Sequence, residues 1–161
     1  MIVGNKLFIH IPKTGGTSLT KYLTNSPPSI FNGKHDKIIE INGDLSNLFI
    51  FTIVRNPYDR VASMYRYQKN GGYIPHNSYK EWLFDPVEMS SWFYDPQYTW
   101  IDHRVKVYKL EDGIDVILKA LGIKDRGLHL NQSVKHDVNS DDECVEFVNR
   151  KYEKDFEIFG Y

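Results

Sequence analysis

The sequence predicts an α/β fold: a single domain over residues 1–161, with a mostly parallel central sheet flanked by helices. Three observations predict it. Apolar segments of strand length alternate with helical segments along the chain. The most apolar segment is apolar on both faces, as parallel strands covered on both sides are. At 161 residues the chain suits one hydrophobic core, since single domains run roughly 100–200 residues.

The strands are expected at Lys6–Ile11, Asn47–Val54 and Arg104–Leu110. Thr17–Leu23 follows the first of them directly as a helix. Asn56-Pro57 opens the next, with Asn as the cap and Pro at the first helical position. It runs to about Gln68 and stops at Asn70-Gly71-Gly72. Ile114–Leu121 is a short helix closed by Gly122. Ser140-Asp141-Asp142-Glu143 reads as a capping box, with Ser140 as the cap. The helix it starts carries Cys144, Val145, Phe147, Val148 and Tyr152 on its apolar side. Asn25–Pro28 is a break too short to link domains. The stretch from Tyr73 to Trp100 is crowded with aromatics but weakly periodic, so short helices and loops are expected there. Most of its rings are expected in the core, and some in the floor of a binding site.

Composition narrows the function. Hydrophobic residues make up 41% and charged residues 25%, which excludes disordered, collagen-like and long coiled-coil chains. Lys plus Arg is 20 and Asp plus Glu is 21, giving a net charge of −1. Bulk charge therefore does not drive nucleic-acid binding, and no nucleic-acid partner is expected. Cys144 is the one cysteine, which favours a reducing compartment. No apolar run approaches the roughly 20 residues of a membrane helix. The longest, Leu48–Val54, is of strand length. Gly4, Asn5 and Lys6 interrupt what would be the apolar part of a signal peptide. The expectation is a soluble, cytoplasmic protein with no membrane span.

Two motifs carry chemistry. In the first, an apolar strand runs into Pro12-Lys13-Thr14-Gly15-Gly16-Thr17-Ser18 and a helix begins. Glycines let the backbone approach an anion, successive amides point inward, and the helix N-terminus adds positive potential. Lys13 supplies a full charge, and Thr14, Thr17 and Ser18 supply hydroxyls. This is not a Walker A loop, in which the lysine follows the glycines. In the second motif a strand delivers Arg55 at its C-terminal end. Ser63 follows on the next helix, roughly 10 Å along it at about 1.5 Å per residue. A surface salt bridge of Arg55 with Asp59 is the plain alternative. The six histidines are scattered, at 10, 35, 76, 103, 129 and 136, with no metal-ligand spacing. No metal is expected. His10, on a buried strand, reads as a structural hydrogen-bonder, and Cys144 as core.

Together, PKTGGTSL and FTIVRNPYDRVASMYRY resemble the sulfotransferases that use 3′-phosphoadenosine 5′-phosphosulfate (PAPS). The nearer branch is the carbohydrate sulfotransferases of the heparan 2-O- and chondroitin type. Asp95-Pro96-Gln97, Tyr108–Asp112, Leu128–Ser133 and Tyr152–Tyr161 resemble later family segments in the right order. The resemblance implies a P-loop-like sulfotransferase fold. It also implies transfer of the sulfuryl group from PAPS to an acceptor hydroxyl on a carbohydrate, leaving 3′,5′-adenosine bisphosphate (PAP). Lys13 would stabilise charge on the leaving phosphate. Thr14, Gly15, Gly16, Thr17 and Ser18 would hold the 5′-phosphate, and Arg55 and Ser63 the 3′-phosphate. His35, in Gly33-Lys34-His35-Asp36, is the candidate base. The family's Golgi members carry an anchor, a stem and disulfides; none of these is expected here, and reduced acceptor loops are expected. Two other readings stay open: a P-loop nucleotide kinase or NTPase, and a non-catalytic domain that binds 3′-phosphoadenosine nucleotides. The parts played by Gln97, Asn131 and Ser133 are left undecided.

Overall fold

A computed structural model describes residues 1–24, 35–127 and 141–161. It is mixed α/β, with a four-stranded, mostly parallel sheet as the sequence predicts. Contacts cluster into two compact units, one from Met1–Arg55 and Gln97–Gln132, the other from Asn56–Pro96 and Ser133–Tyr161.

The first unit holds the sheet. β1 (Ile2–Val3), β2 (Lys6–Ile9), β3 (Phe49–Val54) and β4 (Lys106–Lys109) lie side by side in chain order. β1 is antiparallel to β2 and was not anticipated, because two residues carry no periodic signal. The other pairings are parallel. Leu7 faces Ile50 and Ile9 faces Thr52; Thr52 in turn faces Val107 and Val54 faces Lys109. Both faces of β3 are buried, which explains its nearly continuous apolar run. Its single polar residue, Thr52, donates its hydroxyl to the Ile9 carbonyl at 2.8 Å, so burial strands no polar group.

Two helices close on the sheet within this unit. α1 (Gly16–Leu23) contributes Leu19 and Tyr22, and α2 (Ile114–Ala120) contributes Ile117 and Leu118, to a core with Phe8, Phe51 and Ile53. Burying each such side chain stabilises by about 1.5–3 kcal/mol relative to exposure. The Tyr22 hydroxyl, at the edge of that core, donates to the Asp125 carboxylate at 2.9 Å. The observed strands are one to two residues shorter at most ends than expected, the ordinary fraying of element boundaries.

The second unit is helical. α3 (Pro57–Asn70) starts as expected, with the Asn56 side chain accepting from the Tyr58 amide at 3.0 Å and Pro57 in the first turn. α4 (Tyr79–Leu83) and α5 (Pro86–Met89) follow, capped by Ser78 and Asp85. α6 (Asp142–Lys151) is capped by Asp141, whose carboxylate accepts from the Glu143 amide. Ser140, expected as that cap, lies outside the described residues. α7 (Glu153–Phe159) completes the unit. The aromatic stretch is divided between core and surface, with fewer of its rings fully buried than expected. Tyr79, Trp82 and Tyr94 join Val61, Met64, Cys144 and Val148 in the core, while Tyr73 and Trp92 stay exposed.

A buried arginine organises this core. Arg60 is fully buried on α3 and donates to the Asp95 carbonyl at 2.9 Å and toward that of Phe93 at 3.5 Å. Burial pulls its guanidinium below the usual value, opposed by the nearby Tyr152, Asp155 and Asp95. The Tyr152 hydroxyl donates to the neighbouring Tyr94 carbonyl at 2.9 Å. Residues 93–95 have no strand or long helix to hold them, so these side-chain bonds take that part. Arg60→Met should strand buried acceptors and cost about 1–3 kcal/mol. Urea denaturation checks this, and an unchanged midpoint would refute the bracing role.

Candidate active site at the carboxyl edge of the sheet

Parallel pairing brings the carboxyl ends of β2, β3 and β4 to one edge of the sheet, where open α/β sheets bind ligands. β2 ends at Ile9 and the chain enters the segment His10–Gly15 there. Thr14 closes the turn by donating its hydroxyl to the Ile11 carbonyl at 3.0 Å, and it is fully buried. Its hydroxyl proton therefore shapes the loop rather than pointing at solvent. Lys13 has φ of 66°, the one positive value outside glycine among the described residues. A side chain in this region costs of order 1 kcal/mol or more, and such strain gathers at ligand-binding turns.

The two glycines are required for different reasons. Gly15 has φ of 84° and stands at the cap of α1. Its α-carbon lies so close to the end of β4 that an added Cβ would come 2.8 Å from Leu110 Cδ1. At Gly16 an added Cβ would stand 2.1 Å from His10 Cδ2. The buried His10 ring therefore packs flat against the start of the helix. It also stacks on Phe8 at 5.4 Å and lies 4.4 Å from the ring of His35.

α1 begins without a side-chain cap, and its first turn holds no acidic residue. The amides of Ser18 and Leu19 bond back to the Gly15 carbonyl. Those of Gly16 and Thr17 precede the first such bond, as the leading amides of any helix do. With Lys13 beside them they make an end suited to an anion. Thr17 is exposed and Ser18 half-buried, so both hydroxyls are within reach of a ligand at this edge.

His35 reaches the loop from another segment. Its Nδ1 lies 2.8 Å from the His10 carbonyl oxygen. A carbonyl only accepts, so Nδ1 carries the proton and Nε2 is the basic nitrogen of the neutral ring. A carbonyl-oriented imidazole is the arrangement a general base needs.

Arg55 follows β3 at the same edge. Its backbone is gripped by a residue whose part the sequence left undecided. The Arg55 amide donates to Gln97 Oε1 at 2.8 Å, and Gln97 Nε2 donates to the Arg55 carbonyl at 2.8 Å. Gln97 is fully buried at the head of a 3₁₀ helix, Gln97–Trp100. Ser63 lies on α3 in the second unit, nearly buried. The structure thus gathers Lys13, Gly15, Gly16, Thr17, Ser18, His35 and Arg55 in the first unit. Asn131 and Ser133 lie outside the described residues. A cavity of about 660 Å³ in the second unit, bordered by Tyr58, Glu146, Arg150 and Phe156 among others, contains none of these candidates.

The family model described as the sulfotransferase family matches residues 5–83. The match supports a sulfotransferase family member. The matched sulfotransferase segment contains the loop, His35, Arg55 and Ser63, and ends before Gln97 and Leu110. Comparison with curated proteins gave no match, and neither did comparison with solved structures. Among the described residues no helix is long and apolar enough to cross a membrane.

Gly16→Ala should force the His10 ring out of its place and cost about 1–3 kcal/mol, the usual penalty of overpacking. The same change made in His10→Ala should cost less, because the clash is gone. Urea melts of the four proteins measure this coupling, and strict additivity would contradict the packing described.

Proposed function

We propose that this chain is a sulfotransferase that takes its sulfuryl group from PAPS and passes it to an acceptor hydroxyl, that of a carbohydrate. The observation that carries the reading is the parallel register, which sets the Lys13–Ser18 loop and Arg55 at one edge of one sheet. The residues fit such a donor. Two glycines at points of backbone crowding, two leading helix amides and a lysine suit its 5′-phosphosulfate. A braced arginine suits its 3′-phosphate, the group that separates PAPS from ATP. The assignment of Ser63 to that phosphate rests on the sequence alone.

The acceptor oxygen attacks sulfur in line with the bond to the bridging oxygen, which breaks. The hydroxyl proton passes to His35 Nε2. Negative charge builds on the departing 5′-phosphate, where the Lys13 ammonium and the amides of Gly16 and Thr17 stabilise it. PAP then leaves. Lys and Arg form no dense cluster outside the donor motifs, which favours a neutral acceptor over a highly sulfated polyanion.

Calorimetric titration tests the reading. PAP should bind tightly without magnesium, and Arg55→Ala should lose about 1.5–3 kcal/mol, the worth of a charge-assisted contact. Lys13→Ala should retain donor binding and lose turnover of PAPS. Binding of ATP with Mg²⁺ in place of PAP would favour a kinase or NTPase. PAP binding with neither transfer nor slow hydrolysis of PAPS would favour a non-catalytic nucleotide-binding domain. Wild-type turnover in Lys13→Ala would sink the mechanism.

A further inference from the structure

We infer that Gln97 is a positioning residue for the donor's 3′-phosphate, acting through the backbone of Arg55. The inference rests on the donor reading above and adds the device that aims its arginine.

The last ladder pair of β3 is Val54 with Lys109, so Arg55 is the first residue beyond the strand pairing. At that point the polypeptide would ordinarily be free to turn. Instead both backbone groups of Arg55 are taken by one side-chain amide, at 2.8 Å each. The Gln97 amide thus stands in for the peptide group of a neighbouring strand. It extends the rigid sheet by one residue, and that residue is the arginine.

Burying a glutamine is costly unless all its groups are paired, and Gln97 is fully buried. It spends its amide on Arg55. Its own base is held, since the 3₁₀ helix it opens ends in the fully buried Trp100, and the Lys37 ammonium lies 5.7 Å from that ring. The path from core to Arg55 is therefore short and stiff. A long guanidinium side chain launched from a fixed α-carbon samples fewer directions than one launched from a loose chain end. Pre-set direction converts into affinity because less freedom is lost on binding. The same amide could simply have satisfied a half-exposed backbone. Water would do that at no cost in burial, so the buried amide is assigned to aiming the side chain.

The test is a calorimetric cycle on the full chain with PAP as ligand and 5′-AMP, which lacks the 3′-phosphate, as control. Gln97→Met keeps the size and removes both bonds. It should weaken PAP binding about tenfold, a part of what the arginine contact supplies, and leave 5′-AMP binding at the wild-type level. In an Arg55→Ala background the same change should have no further effect on PAP. Gln97→Glu adds a second readout. A carboxylate cannot donate to the Arg55 carbonyl, but a protonated carboxyl can. Its PAP affinity relative to wild type at the same pH should therefore recover between pH 8 and pH 5. This comparison also decides the matter if Gln97→Met fails to fold. Wild-type PAP affinity in Gln97→Met overturns the proposal, as do equal losses for both ligands, additivity with Arg55→Ala, or a pH-independent Gln97→Glu. A wild-type protein that does not bind PAP at all overturns the donor reading and this proposal with it. Binding by wild type and Gln97→Met alike overturns this proposal alone.

Discussion

The parallel ladder between β2 and β3 is the constraint on which the site depends. Ile9 faces Thr52, and the Thr52 hydroxyl reaches across to the Ile9 carbonyl. Two segments far apart in the chain therefore end in step. One continues into the Lys13–Ser18 loop and the other into Arg55. Neither motif alone suggests a donor site. A glycine turn with a lysine is a general anion trap, and an arginine after a strand is common. Register makes them partners, and register is set by the apolar side chains that the two strands bury.

Around that ladder, stability and chemistry share the same atoms. The His10 ring fills the space that any side chain at Gly16 would need, stacks on Phe8 of the core, and lies beside His35. Its carbonyl sets the tautomer of His35. The start of α1, with its leading amides, is thus packed against a core residue. Lys13 in a left-handed conformation is held by a neighbouring turn whose threonine is buried. The loop is strained at the residue that carries the charge and braced on both sides of it.

Much of this was legible in the sequence, where the signal is local. Three strands, the Asn56-Pro57 cap, the helix stop at Asn70-Gly71-Gly72 and the glycine loop each rest on neighbouring residues, and each is found, the helix running two residues past Gln68. β1 was missed because a two-residue strand has no pattern to show. Asp141 caps α6, while Ser140 lies outside the described residues; both are good caps, so side-chain type alone does not choose. The hydroxyl of Thr14, a candidate ligand group, donates to the Ile11 carbonyl, a bond that no sequence pattern shows. The burial of Arg60 and the grip of Gln97 on Arg55 were invisible for one reason. Each pairs a side chain with a backbone group more than thirty residues away, and such pairing leaves no periodicity. Asp95-Pro96-Gln97 stood out as a segment, but nothing in it names the partner.

A crystal structure of the chain with PAP tests the central claim most directly. The account requires the 5′-phosphate against the amides of Gly16 and Thr17 with the Lys13 ammonium beside it, and the 3′-phosphate on the Arg55 guanidinium. A nucleotide bound elsewhere, or with its 3′-phosphate away from Arg55, would contradict it.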